Sequence, residues 1–202
     1  EKFRTTISTQ TNTDNSNSTA SYEDIIGVPY TDDGNWASCI RIVDASTLDT
    51  VDLIEFEGSE AAFSAQLCTF SAYPNEKFLI VGTAVNVKML PHLTFTNAYL
   101  VVFVLKENET KIEFVFKQSV NDIVRALCEY QGRLLAGVGN SLVLYDIGKN
   151  HLLKKCECKK ITSTITKIQT NGQRILLSTI NESFYFLRHK TNENQFYIFA
   201  DD

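Results

Sequence analysis

The densest group of chemically active side chains in this 202-residue sequence is a run of lysines: Lys149, Lys154, Lys155, Lys159 and Lys160, gathered around Cys156-Glu157-Cys158. Ammonium groups at that density could meet the phosphates of RNA or the carboxylates of an acidic protein partner. Lysine also has a structural use there, because on an exposed outer strand it discourages unwanted edge pairing. No aromatic residue is interleaved in the segment, as a single-strand nucleic-acid platform would want for base stacking. Lys149, Lys154 and Lys155 are the candidate partner-binding residues, and both kinds of partner stay open at this level.

Other reactive types are present without the spacing that chemistry needs. Cys156 and Cys158, two apart on one strand, point to the same face, but a zinc site would want a second pair or suitably spaced histidines. His92, His151 and His189 are scattered singly. Cys39, Cys68 and Cys128 lie in apolar segments, where a free thiol acts as a small hydrophobe. The odd count of five cysteines fits a reducing compartment better than a disulfide framework. Three Asn-x-Ser/Thr triplets, at Asn17, Asn108 and Asn181, match the glycosylation pattern, against which the cysteine usage argues. Asp32-Asp33 and Asp201-Asp202 are sequence neighbours, so on strands they face opposite ways and form no acid/base couple. Gly137-Val138-Gly139-Asn140 lacks the following helix and third glycine of a dinucleotide loop and the Gly-Lys-Ser/Thr of a P-loop; it reads as a hairpin turn needing positive φ. Asp146 closes an apolar strand, where a short carboxylate can bond the amides of the next turn. No nucleophile elbow or Ser/His/Asp set is visible. The expectation is no catalysis, no cofactor, no metal and no small-molecule substrate.

Acids exceed bases by 24 to 19, giving a net charge of −5. A duplex-binding domain is usually basic, because phosphate neutralisation supplies most of its affinity, so the balance points to protein partners. The longest apolar run, Tyr99–Leu105, is far short of the ~20 residues of a membrane helix, and no membrane association is expected.

The segments that must carry these residues repeat with a four-beat rhythm. Asp122–Tyr130, Gly132–Val138, Ser141–Ile147 and His151–Glu157 are each rich in branched or aromatic residues and are separated by Gln131-Gly132, Gly139-Asn140 and Gly148-Lys149-Asn150. The same rhythm runs through Ala61–Ser71, Lys77–Ala84, Ala98–Lys106 and Lys111–Ser119, and again through Thr162–Thr170, Gln173–Thr179, Glu182–Lys190 and Gln195–Ala200. Half a unit, Trp36–Asp44 and Thr50–Phe56, precedes them. Four antiparallel strands per period of roughly 40–60 residues is the signature of β-propeller blades. The predicted fold is all-β: about three and a half four-stranded blades (a half blade at 36–56, then 61–119, 122–158 and 162–202) of a seven-bladed WD40-like β-propeller. Such a set leaves sheet edges bare, so the chain is expected to be a fragment of a larger multi-propeller protein.

Leu79-Ile80-Val81, Leu142–Tyr145 and Phe184–Leu187 are apolar on both faces, as strands sandwiched between blades are. Lys111–Lys117 alternates, with Ile112, Phe114 and Phe116 expected on one side of an outer strand. Ala61–Gln66 is the only helical candidate, and its place in the repeat favours a strand. Ahead of residue 33, fourteen of the seventeen positions Thr5–Ser21 are Ser, Thr, Asn or Gln. That composition predicts a flexible segment or inserted loop over 1–32. Structure is expected to begin near Tyr22–Tyr30 and to become firm at Trp36.

Several longer words carry a family resemblance. They are Asn35-Trp36-Ala37-Ser38-Cys39-Ile40-Arg41, Glu60-Ala61-Ala62-Phe63-Ser64, Gly132–Gly139, Leu144-Tyr145-Asp146-Ile147-Gly148-Lys149, Leu152–Glu157, Glu182-Ser183-Phe184, Asn192-Glu193-Asn194-Gln195 and Phe199-Ala200-Asp201-Asp202. In this order and spacing, over roughly Asp33–Asp202, the chain resembles the third β-propeller of the large three-propeller subunits of splicing factor 3b, in the U2 snRNP. Cys158 and Ser59 stand where that family usually has Asn, and Thr5–Ser21 has no counterpart there. The resemblance implies a non-catalytic nuclear scaffold that supports branch-site recognition and prespliceosome assembly in pre-mRNA splicing. Its implied partners are the HEAT-repeat subunit and small subunits of the same complex, with only indirect association with small nuclear RNA and pre-mRNA. The alternative is a propeller adaptor of the damaged-DNA-binding or cleavage/polyadenylation type. An enzyme on the same scaffold would need converging polar residues at inner-strand ends, where the sequence offers only Asp122, Arg125 and Lys167.

Overall fold

In the computed structural model of the chain, residues 38–89, 92–106, 109–181 and 184–201 are described. They contain fourteen strands and no helix. Trp36, the start of the expected half blade and the Ser/Thr/Asn-rich segment over 1–32 lie outside the described residues.

Strands β1 (Cys39–Val43) and β2 (Thr50–Glu55) form a two-stranded sheet. Three four-stranded meanders follow. The first comprises β3 (Glu60–Cys68), β4 (Lys77–Val85), β5 (Asn97–Lys106) and β6 (Lys111–Val120). The second comprises β7 (Val124–Tyr130), β8 (Arg133–Val138), β9 (Ser141–Ile147) and β10 (Leu152–Cys158). The third comprises β11 (Ile165–Asn171), β12 (Arg174–Thr179), β13 (Phe184–Lys190) and β14 (Gln195–Asp201). All pairings are antiparallel between sequence neighbours. Ala61–Gln66 lies in β3. The tight breaks form because the residues there accept left-handed backbone: Gln131 and Gly132 have φ of 50° and 69°, and Gly139 has 55°.

The sheets pack face to face, and the cores lie between them. Ile80, Leu100, Val102 and Phe116 meet Val124, Leu134, Ala136 and Tyr145 between the first and second sheets. Leu135, Leu142, Leu144, Cys156 and Cys158 meet Ile165, Ile175, Leu177 and Leu187 between the second and third. The smaller sheet lays Ile40, Ile42, Ile54 and Phe56 on Val81, Val101, Phe103 and Ile112. A strand covered on both sides must be apolar on both, which is why β5, β8 and β9 read as near-continuous hydrophobic runs.

The first strand of each meander carries a bulge at the same place. The register skips Phe63 in β3, Arg125 in β7 and Thr166 in β11. Just past the bulge, the second strand presents Gly82, Gly137 and Ser178 in turn. The two glycines are there for space. A Cβ on Gly82 would stand 2.8 Å from Val124 Cβ, and one on Gly137 would stand 2.7 Å from Ile165 Cγ2, closer than carbon atoms tolerate. β7 and β11 thus each press a β-branched residue into the second strand of the preceding sheet. Polar links cross at the same level: Ser64 Oγ donates to the Val124 carbonyl at 2.6 Å, and Ile165 N–H donates to the Gly139 carbonyl at 2.8 Å.

Three expectations about faces need correction. Phe184–Leu187 is covered on one side only, with Phe184 and Phe186 exposed, because among the described residues no sheet packs on the outer face of the third. Ile112 and Phe116 do not share a side, because a bulge in the β5–β6 pairing opposite Val102/Phe103 flips the alternation. Ile112 enters the core beneath β1–β2 and Phe116 enters the core shared with the second sheet, while Phe114 is 61% exposed. Cys39 is exposed, because the strand alternation turns Ile40 and Ile42 inward and Cys39 out.

Candidate functional site

The lysine run sits along β10, the outermost strand of the second sheet, so one side of β10 has no ladder partner. Lys149 lies in the β9–β10 turn, Lys154 and Lys155 in the strand, and Lys159 and Lys160 beyond its end. A bulge between Lys154 and Cys156 leaves Leu153, Lys154 and Lys155 all exposed, where strict alternation would have turned one inward. Cys156 and Cys158 resume the alternation and enter the core together, as the C-x-C spacing requires.

Two carboxylates tie this surface down. Glu157 Oε2 accepts from Lys154 Nζ at 3.1 Å and lies 3.7 Å from Lys159 Nζ. Asp146 Oδ2 lies 3.5 Å from Arg133 Nε and 3.9 Å from Lys155 Nζ, while its Oδ1 accepts the adjacent Ile147 N–H at 2.9 Å. Asp146 therefore bonds only the amide beside it in the backbone and spends its second oxygen on two cations. Arg133 is a member of the cluster that sequence reading misses, because the β8–β9 pairing brings it there from outside the lysine run. Lys149 and Lys160 have no ion-pair partner among the described residues.

The residues named as a would-be polar funnel are held in structural contacts or left open. Arg125 lies over the Phe63 ring at 5.5 Å, one bulge residue on the next. Asp122 Oδ1 accepts the Ile123 N–H at 2.7 Å, and Lys167 is exposed. The Cys68 and Cys156 thiols are poor nucleophiles and poor ligands. Burial, with Glu129 as the next contributor, pushes Cys68 up to about 12, and burial followed by Cys158 pushes Cys156 up to about 11. Among the described residues, no group of three or more His, Cys, Asp or Glu is placed to hold a metal ion. No helix among them is long and apolar enough to cross a membrane.

Two further polar arrangements escaped the sequence. Glu60 is 4% exposed; it accepts from Thr83 Oγ1 and from Lys117 Nζ at 2.7 Å, and that ammonium lies 4.3 Å from the centre of the Tyr99 ring. His189 is buried between Tyr130 of the second sheet and Phe196 of the third. Burial holds its imidazole below the ordinary value, and the approach of Arg133 adds to this against a hydrogen bond to Asn194.

Four-stranded meanders stacked face to face, with first strands adjoining and outer edges bare, are the blades of a β-propeller. Residues 37–202 match the family described as the CPSF A subunit region, and the chain belongs to that family. It is 38% identical over 180 residues to splicing factor 3B subunit 3 of Danio rerio, which covers 89% of this chain and 15% of the relative. Spliceosome-associated protein 130 A of Arabidopsis thaliana is 40% identical over 178 residues, covering 87% and 14%. Pre-mRNA-splicing factor RSE1 of Mycosarcoma maydis is 40% identical over 169 residues, covering 84% and 14%. The chain spans about a seventh of the length of these curated relatives, and the resemblance read from the sequence words holds across all three.

Proposed function

We propose that this chain is a blade segment of a non-catalytic scaffold subunit of splicing factor 3b in the U2 snRNP. It supports branch-site recognition and prespliceosome assembly through protein–protein contacts in the nucleus. Its partners are the HEAT-repeat subunit and the small subunits of the complex, and its association with small nuclear RNA and pre-mRNA is indirect. The observation that carries the reading is the similarity to three splicing proteins across the blades. Physical support comes from the blades themselves. The faces that meet between the sheets are filled with packed side chains, while charged side chains such as Lys154 and Lys159 stand exposed at an outer edge, an arrangement that suits binding.

The test is affinity purification of the intact tagged protein from nuclear extract, with identification of bound proteins and RNA. Splicing factor 3b subunits together with U2 small nuclear RNA are the expected outcome. Recovery of a cleavage/polyadenylation or damaged-DNA-binding complex in their place would overturn the assignment. So would a turnover activity lost on Arg125→Ala in a variant that stays folded.

A further inference from the structure

We propose that the outer edge of the second blade, from Lys149 to Lys160 together with Arg133, docks an acidic, extended segment of a protein partner. The inference rests on the scaffold reading above and names the chemistry of one of its contacts.

The charge count comes first. Arg133, Lys149, Lys154, Lys155, Lys159 and Lys160 are six cations facing two carboxylates, Asp146 and Glu157. Each carboxylate is divided between two cations through one oxygen: Lys154 and Lys159 share Glu157 Oε2, while Arg133 and Lys155 share Asp146 Oδ2. A surplus of four positive charges over β10, its two flanks and the neighbouring Arg133 is a local exception in a chain of net charge −5. The other outer strands lack it. β2 carries Asp52 and Glu55 with no cation, β14 carries only Asp201, and β6 sets Lys111 and Lys117 against Glu113.

Exposure follows the same line. Side chains of Lys154 and Lys159 are 56% and 72% exposed, so an incoming carboxylate reaches them without displacing packed groups. The β10 bulge is the device that turns Lys154 and Lys155 out together, with Leu153 beside them as an apolar contact. The seven residues of β10 rise about 23 Å, enough to meet several acidic side chains of an extended segment. Single exposed ion pairs are weak, so recognition requires several carboxylates at once.

The backbone is not available for strand addition at the centre of this edge. Asn194 Nδ2 already donates to the Lys155 carbonyl at 2.6 Å, and the bulge interrupts the ladder there. Recognition therefore falls to the side chains, which favours a charged partner over a merely strand-forming one. Residues 149–160 contain no Phe, Tyr or Trp on which bases could stack, which favours a protein segment over RNA.

The intact protein should bind a fluorescent twelve-residue peptide of Asp and Glu spaced by Ser and Gly, read by anisotropy at low and physiological salt. The same peptide with Asn and Gln in place of the acids, and a twelve-nucleotide uridine-rich RNA, are the comparison probes. Lys154→Glu with Lys155→Glu should weaken acidic-peptide binding at least ~10-fold without changing the melting temperature. Glu157→Gln, which releases Lys154 and Lys159, should tighten it about 2–3-fold. A misfolded variant could not produce that gain. The proposal is overturned if the parent does not bind the acidic peptide. It also fails if charge reversal leaves the affinity unchanged, if Glu157→Gln weakens binding, or if the RNA binds more tightly and is lost on the same reversal. Such an outcome with subunit co-purification intact would remove this contact and leave the scaffold reading standing.

Discussion

Gly137→Ala tests the spacing of the blades. The new methyl group would lie 2.7 Å from Ile165 Cγ2, 2.9 Å from Ile165 Cβ and 3.4 Å from Ala126 Cβ. Ordinary carbon contacts need ~3.5–4.0 Å, so β11 must retreat from β8 by roughly 1 Å. Overpacking of this kind costs ~1–3 kcal/mol. Ile165 is fully buried, and Ile165→Ala alone should cost ~2–5 kcal/mol by opening a cavity. In the double variant the Cγ2 collision is gone and the added methyl fills part of the cavity, so the pair should be less destabilising than the sum by ~1–2 kcal/mol. The assay is native-state amide hydrogen exchange on the intact protein, reading opening free energies of β8 and β11, because local opening is measurable even where global unfolding has several steps. Residues without shared contacts add within about 0.3–0.5 kcal/mol. Additivity of Gly137→Ala and Ile165→Ala at that level would refute the claim that the glycine exists to receive the neighbouring strand.

Other outcomes follow from contacts already described. Burial lowers the His189 pKa, so the folded state holds it neutral while the unfolded chain takes up a proton below ~6.5. Its contribution is present above that pH and is lost as pH falls through and below it; urea melts at pH 7.5 and 5.5 should show the loss, and His189→Phe should shrink it. Lys117→Met strands the Glu60 carboxylate, whose side chain is 6% exposed, and should cost ~2 kcal/mol, less than a fully buried pair because Lys117 is 32% exposed; adding Glu60→Gln should restore much of it in the same melts. Phe184, Phe186 and Phe199 are 53%, 39% and 58% exposed on one face of the third sheet beside an open cavity of about 770 Å³. Phe184→Ser with Phe199→Ser should therefore reduce self-association of the isolated chain, measured by size exclusion.

The strands were legible because each is a branched or aromatic run closed by a residue fitted to its turn, as at Gln131-Gly132 and Gly139-Asn140. Ser141–Ile147 coincides with β9 at both ends. What the sequence hid is the fine register. Nothing local marks Phe63, Arg125 or Thr166 as bulged, since a bulge belongs to a pair of strands. The β6 bulge likewise separated Ile112 from Phe116, which simple alternation had placed together. The lysines were visible as a run, but their arrangement depends on Arg133, Asp146 and the β10 bulge, all of which require β8, β9 and β10 to be in place. Gly137 looked like part of a turn; it is a strand residue whose missing side chain is filled by the next sheet.

That last contact bears on how such a protein can be recombined. The size of the residue on a second strand is matched to the first strand of the following sheet, as Gly82 is to Val124 and Gly137 to Ile165. A chimera joined in the β6–β7 connection keeps each sheet whole yet separates Gly82 from Val124. One joined at Gln131-Gly132 cuts a sheet in two and inherits both matched pairs intact. The second junction should graft more readily between relatives, so the unit of inheritance in this fold is offset by one strand from the unit that the eye picks out.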